Sequence, residues 1–97
     1  MRENQYQAGL IRRIKERIPG CIVLKNDANY IQGIFDLTVI LGPRAAHVEV
    51  KADEKSPEQP NQRYYINLVQ EQGGFARVIY PQNEEEVLLA LQQSLGC

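Results

Sequence analysis

Apolar and polar positions recur along this chain with two different periods, and each change of period marks an element. From Glu3 to Ile18 the residues Leu10, Ile11, Ile14 and Ile18 fall at helical spacing on one stripe that Pro19-Gly20 ends, which predicts an amphipathic helix. Cys21 to Lys25 is a short apolar run of strand type, followed by a polar connection from Asn26 to Gln32. Ile34 to Leu41 is rich in β-branched and large apolar residues, Gly42-Pro43 is a turn signal, and Ala45 to Lys51 ends in strict alternation. Together these predict a β-hairpin. Ser56-Pro57-Glu58-Gln59 has the composition of a helix start, but Pro60 pushes the residue before it out of the α region, so the regular helix begins at Ser56 or only at Pro60. Tyr65, Leu68, Val69 and marginally Ile66 give that helix its apolar face, and Gly73-Gly74 ends it. Phe75 to Tyr80 is a further strand. Asn83 to Leu95 is a last helix with Val87, Leu88, Leu91 and Leu95 as its stripe and Asn83-Glu84-Glu85-Glu86 as N-cap and acidic first turn. In this order the first three strands form a meander and the second helix becomes a crossover to a parallel fourth strand. An α/β fold with a mixed central sheet flanked by helices is expected.

Composition narrows the class. The 97 residues, 43% of them hydrophobic, are expected to form a single domain over residues 1–97 with a modest core. No apolar run reaches the length of a membrane span and no signal-peptide pattern is present, so a cytoplasmic protein without membrane partners is expected. Cys21 is placed in a buried strand and Cys97 at the last position, which predicts two reduced thiols. With a single His, a Cys/His zinc site is not expected. A net charge of −1 argues against coating nucleic acid through a bulk positive field, but not against an enzyme whose acidic ligands lower the total. The basic residues crowd at Arg12, Arg13, Lys15 and Arg17, either as the solvated face of the first helix or as phosphate contacts. Glu84, Glu85 and Glu86 are explained by helix capping and are not taken as metal ligands.

The chemistry concentrates in the hairpin. Side chains two apart on a strand share a face, so His47, Glu49 and Lys51 point one way and Val48 and Val50 the other; Ile34, Asp36, Thr38 and Ile40 likewise share a face. A register that sets Asp36 opposite Glu49 or Lys51 brings two carboxylates and an amine together, and a slip of one residue separates them. Such carboxylates suit a hard cation such as Mg²⁺, and the lysine suits the charge that develops on phosphorus oxygens when water attacks a phosphodiester. Val-Glu-Val-Lys also describes any half-exposed strand. Against that plainer reading, Asp36 sits between Phe35 and Leu37 in an apolar run, where a charge needs a partner. The first helix's stripe, extended backwards through Gln7, reaches Glu3, which then lies at the end of the sheet or merely complements the helix dipole. Gln62 is sheet-facing near the start of the second helix, as a site residue or an ordinary boundary glutamine. Asp27 and Asn29 are turn formers or substrate contacts, and Tyr30-Ile31 reads as an exposed apolar pair.

The ordered set of Glu3 and Gln7, Gly33-Ile34-Phe35-Asp36-Leu37, Glu49-Val50-Lys51, Ser56-Pro57 with Gln62, and Gly73 or Gly74 resembles the PD-(D/E)XK nucleases, in particular their short standalone VRR-NUC branch. Phe35 stands where that family has proline. The resemblance implies a restriction-endonuclease-like αβββαβ(α) core and metal-dependent phosphodiester hydrolysis. It implies Asp36, Glu49 and the main-chain carbonyl of Val50 as ligands of Mg²⁺ or Mn²⁺, and Glu3 as an outer or second-site ligand. Lys51 would activate water, and Gln62 would orient it or the phosphate. It further implies a homodimer acting on branched DNA such as Holliday junctions. From the basic crowd on the first helix, Arg12 and Arg13 are the expected nucleic-acid contacts. Two alternatives stand beside it: a general duplex, flap or single-strand nuclease of phage or mobile-element type, acting in the host cytoplasm when phage-encoded, and a catalytically silent nucleic-acid-binding or protein-interaction domain of the same fold.

Overall fold

The computed structural model describes residues 2–97. Their order is α1 (Glu3–Arg17), β1 (Ile22–Lys25), β2 (Leu37–Leu41), β3 (Arg44–Val50), α2 (Gln62–Glu71), β4 (Phe75–Ile79), a 3-10 turn (Pro81–Asn83) and α3 (Glu84–Ser94). The strands form a four-stranded sheet in the order β1-β2-β3-β4, antiparallel in the first two pairs and parallel between β3 and β4. Parallel neighbours need a long connection, and α2 is that crossover. The expected mixed sheet flanked by helices is the fold observed.

Two apolar clusters lie on opposite faces of the sheet. On one face Tyr6, Leu10, Ile14 and Ile18 meet Val87, Leu88, Leu91 and Leu95 over Leu37, Val39, Ala46, Val48, Val50 and Ile79. On the other, Ile66 of α2 packs on Phe35 and Ala76, with Ile34, Tyr65, Val69 and Val78 partly buried around them. The alternation of β3 sets this division: Val48 and Val50 enter the first cluster, which turns His47, Glu49 and Lys51 to the α2 side. Ion pairs from Arg13 to Glu84 and from Arg17 to Glu85 tie α1 to α3.

Several expectations are corrected in detail. The first hairpin strand begins at Leu37 rather than Ile34, so Asp36 stands one residue outside regular β2. Gly33, at φ 87, packs so tightly on Asn61 that an added Cβ would lie 2.5 Å from the Asn61 Cβ, and the left-handed backbone there is not that of a strand. Neither Ser56 nor Pro60 opens α2. The prolines disfavour helical geometry just before them, the Ser56 hydroxyl accepts from the Asp53 N–H at 3.3 Å, and the helix starts at Gln62 after Asn61 in the left-handed region at φ 72. Cys21 precedes β1 and is half-buried. β1 itself is an edge strand whose Ile22 and Leu24 are 56% and 45% exposed, because α2 packs over β4 and the Phe35 segment rather than over this side. Asn83 does precede α3, but its side chain accepts from the Tyr80 N–H and donates to the Val78 carbonyl instead of capping the helix.

Candidate active site

Leu41 pairs with Arg44 across Gly42-Pro43, a two-residue hairpin loop in which Gly42 adopts φ 60. That loop fixes the register of everything behind it. The ladder runs back to Leu37 opposite Val48, and the next step along both chains sets Asp36 against Glu49. The Asp36 carboxylate is anchored there: its Oδ2 accepts from the Val50 N–H at 2.7 Å, and its carbonyl accepts from the Asn26 N–H at 2.9 Å.

Glu49 is only 2% exposed, and its Oε2 is the one buried side-chain oxygen or nitrogen among the described residues without a hydrogen-bond partner. Burial pushes its carboxyl up to about 9, with a hydrogen bond to Asp36 and the negative charges of Asp36 and Glu3 adding to the shift and Lys51 opposing it. Glu3, at the start of α1, is also raised, first by burial, then by Asp36, with Lys51 again opposing. Glu3, exposed at the start of the first helix, thus lies within electrostatic reach of Asp36 and Lys51.

Lys51 is 5% exposed and follows directly on β3, where its N–H donates to the Ile79 carbonyl at 2.9 Å. Its Nζ donates to Gln62 Oε1 at 2.9 Å and to the Pro57 carbonyl at 3.1 Å. Gln62 Oε1 also accepts from the Gln59 N–H at 2.7 Å, so two donors fix the orientation of the amide. The irregular stretch from Asp53 to Asn61 thus wraps the lysine, and a cleft of about 310 Å³ opens beside it, lined also by Asp53, Ser56, Arg63, Arg77 and Tyr80.

Two predicted residues lie elsewhere. Arg12 and Arg13 sit nine and ten residues along α1 from Glu3, about 15 Å by helical rise. Arg13 donates to both oxygens of Glu84 at 2.6 and 2.9 Å, Tyr6 donates to the same carboxylate at 2.7 Å, and Arg12 is exposed.

With this geometry in view, comparison with known proteins is informative. No family model matches the chain, and no curated protein matches it. A solved structure described as a VRR_NUC domain matches over 91% of this chain and 94% of its own, with a TM-score of 0.74 and 26% sequence identity. The chain has the fold of a VRR-NUC domain. That fold is of nuclease type. Nucleases of this type generally use divalent metals. Among the described residues no three His, Cys, Asp or Glu side chains stand close enough to hold an ion by themselves. The donor set nevertheless fits such a group: Asp36 and Glu49 face each other, and the buried, unpartnered Glu49 Oε2 is the atom that a cation would satisfy.

Sequence reasoning missed Asn26, Thr38 and His47 of this VRR-NUC-like fold. Asn26 Nδ2 donates to the Phe35 carbonyl and to Thr38 Oγ1, each at 3.0 Å, and Thr38 Oγ1 lies 2.9 Å from His47 Nδ1. The period-two pattern did place Thr38 and His47 on the faces of Asp36 and Glu49. Nothing local linked Asn26 to them.

Proposed function

We propose that this domain is a metal-dependent endodeoxyribonuclease whose centre is built from Asp36, Glu49, Lys51 and Gln62. The observation that carries the reading is the buried, unpartnered Glu49 Oε2 facing Asp36 one strand away. A deeply buried carboxylate with an unpartnered oxygen is costly unless protonated or neutralised by a cation. Asp36, Glu49 and the main-chain carbonyl of Val50 would hold Mg²⁺ or Mn²⁺, with Glu3 as an outer or second-site ligand. When bound, the ion supplies Lewis acidity and positive charge at the phosphate.

The protein's own groups divide the remaining work. Lys51 Nζ, held by Gln62 Oε1 and the Pro57 carbonyl, is in place to take or give a proton at the attacking water and to offset charge on the phosphorus oxygens. Gln62 fixes that amine through its oxygen and orients water or phosphate through its amide nitrogen. Asp36 keeps its carboxylate turned to Glu49 through the bond from the Val50 N–H. Arg12 and Arg13 are read as the more distant contacts to DNA. The preferred substrate in this reading is branched DNA such as a Holliday junction, cut by a homodimer, because paired nicks in a two-fold symmetric junction require two sites related by a dyad.

The test is cleavage of end-labelled four-way junction, flap, duplex and single-stranded DNA in Mg²⁺ and in Mn²⁺, with Lys51→Met beside wild type. Methionine keeps the apolar stem and removes the donor, so the variant should fold and lose at least about 100-fold in rate. Symmetric, mutant-sensitive nicks in the junction are expected. Equal cutting of all substrates would discard the junction preference, and cleavage unaffected by the substitution would overturn the assignment of Lys51. Absence of any cleavage would favour a silent nucleic-acid-binding domain.

A further inference from the structure

Asp36 lies beyond the regular part of β2, and among the main-chain bonds around it the one from the Asn26 N–H to its carbonyl ties it to the sheet. The Asn26 side chain adds a second grip. Its Nδ2 reaches nine and twelve residues along the chain to the Phe35 carbonyl and to Thr38 Oγ1, both at 3.0 Å. Thr38 is the cross-strand partner of His47, and its Oγ1 lies 2.9 Å from His47 Nδ1. The His47 ring in turn stacks on Phe35, with centroids 4.7 Å apart and planes at 24°. These contacts close a ring around the Phe35-Asp36 peptide: Asn26 holds the carbonyls on both sides of Asp36's nitrogen, and His47 holds the preceding side chain.

The donors and acceptors are consistent with one arrangement. Thr38 Oγ1 accepts from Asn26, which leaves its hydroxyl proton for His47 Nδ1 and places the imidazole proton on Nε2. A purely local turn would explain an asparagine at a strand end, but that role belongs to the neighbouring Asp27, whose Oδ1 accepts from the Asn29 N–H at 2.8 Å. The bonds of Asn26 go instead to the segment that carries a proposed ligand.

We propose that Asn26, Thr38 and His47 are positioning residues that hold the Asp36 carboxylate in the cation-binding geometry. This rests on the reading of Asp36 and Glu49 as metal ligands, and outer partners of ligands commonly change affinity by about 10- to 100-fold. None of the three need touch the substrate.

The test is calorimetric titration with MnCl₂ alone, without DNA, of wild type, Asn26→Asp, Thr38→Val and Thr38→Ser, with melting of each in EDTA. Asn26→Asp is isosteric, removes both side-chain donors and adds a negative charge. Electrostatics alone would tighten cation binding, whereas loss of positioning should weaken it about tenfold. Thr38→Val, which keeps shape and removes the hydroxyl, should weaken binding similarly, and Thr38→Ser should restore wild-type affinity. The valine and serine pair decides the matter if Asn26→Asp fails to fold. Wild-type affinity in Thr38→Val, or in a folded Asn26→Asp, overturns the proposal while leaving the metal reading intact. A wild-type protein that binds no Mn²⁺ overturns both.

Discussion

Burial disfavours the charged form of Glu49 strongly. Its carboxyl is raised from 4.5 to about 9 by burial and by Asp36, so the folded state holds a proton that the unfolded chain would release. The stability tied to that proton is fully present below about 4.5 and is lost as pH climbs through about 9. Glu3 is raised as well and adds a contribution of the same sign. In EDTA the melting temperature should therefore fall between pH 5 and pH 9, and Glu49→Gln, which cannot ionise, should flatten most of that fall. Equal slopes in the two proteins would show that Glu49 is not the group responsible. The reading of Glu49 as a metal ligand adds a converse effect, since a bound cation must displace the proton and Mn²⁺ affinity should rise with pH. The shared face of Glu49 and Lys51 was legible in the sequence because the side-chain period is two, but the register that sets Asp36 against Glu49 was fixed only by the observed pairing across Gly42-Pro43. The near-complete burial of Glu49 was not legible either. Glu49 shares the sheet face on which α2 packs through Ile66, and that helix comes from a distant part of the chain.

At the scale of elements, α1 shows how one helix serves two ends. Its N-terminus sets Glu3 within electrostatic reach of Asp36, and its later turns are fastened to α3 through Arg13–Glu84 and Arg17–Glu85. Burial raises the Glu84 carboxyl, but hydrogen bonds from Arg13 and Tyr6 outweigh it and leave the group below its ordinary value. Arg13 is 41% exposed and Glu84 18%, so screening limits the pair, and Arg13→Ala should cost about 1 kcal/mol in denaturant unfolding. Arg12 makes no ion pair among the described residues, and Arg12→Ala should leave stability within about 0.5 kcal/mol. If Arg12 meets phosphate, the same substitution should reduce the salt slope of DNA binding by about 1. An unchanged slope would move the DNA path away from this helix. The cluster of arginines was visible in the sequence, but not their division: Glu84 lies 71 residues from Arg13, and only the packing of α3 on α1 shows which guanidinium is engaged.

At the scale of the molecule, the sheet is unevenly covered. Both faces of the β3–β4 half carry helices, while the edge strand β1 exposes Ile22 and Leu24, and the loop after it exposes Tyr30 at 83%. An edge of this kind, with Lys25 as its one charged residue, lacks most of the devices that keep edge strands apart. It is consistent with the proposed homodimer. Light scattering at micromolar concentration should give twice the chain mass of 11.1 kDa, and a monomer there would count against paired cutting by a preformed dimer. The helix, strand and crossover order was readable because each element has its own period and stop signals.

Taken alone, the sequence determined the types and order of the elements, the turn that joins the hairpin, and the faces on which Asp36, Glu49 and Lys51 stand. Those follow from periods and turns that act over a few residues. Tertiary structure alone decided that α2 starts at Gln62, that Gln62 grips Lys51, that Glu49 loses its solvent, and that Asn26 reaches Phe35 and Thr38. Each of these depends on packing between segments that no local pattern connects.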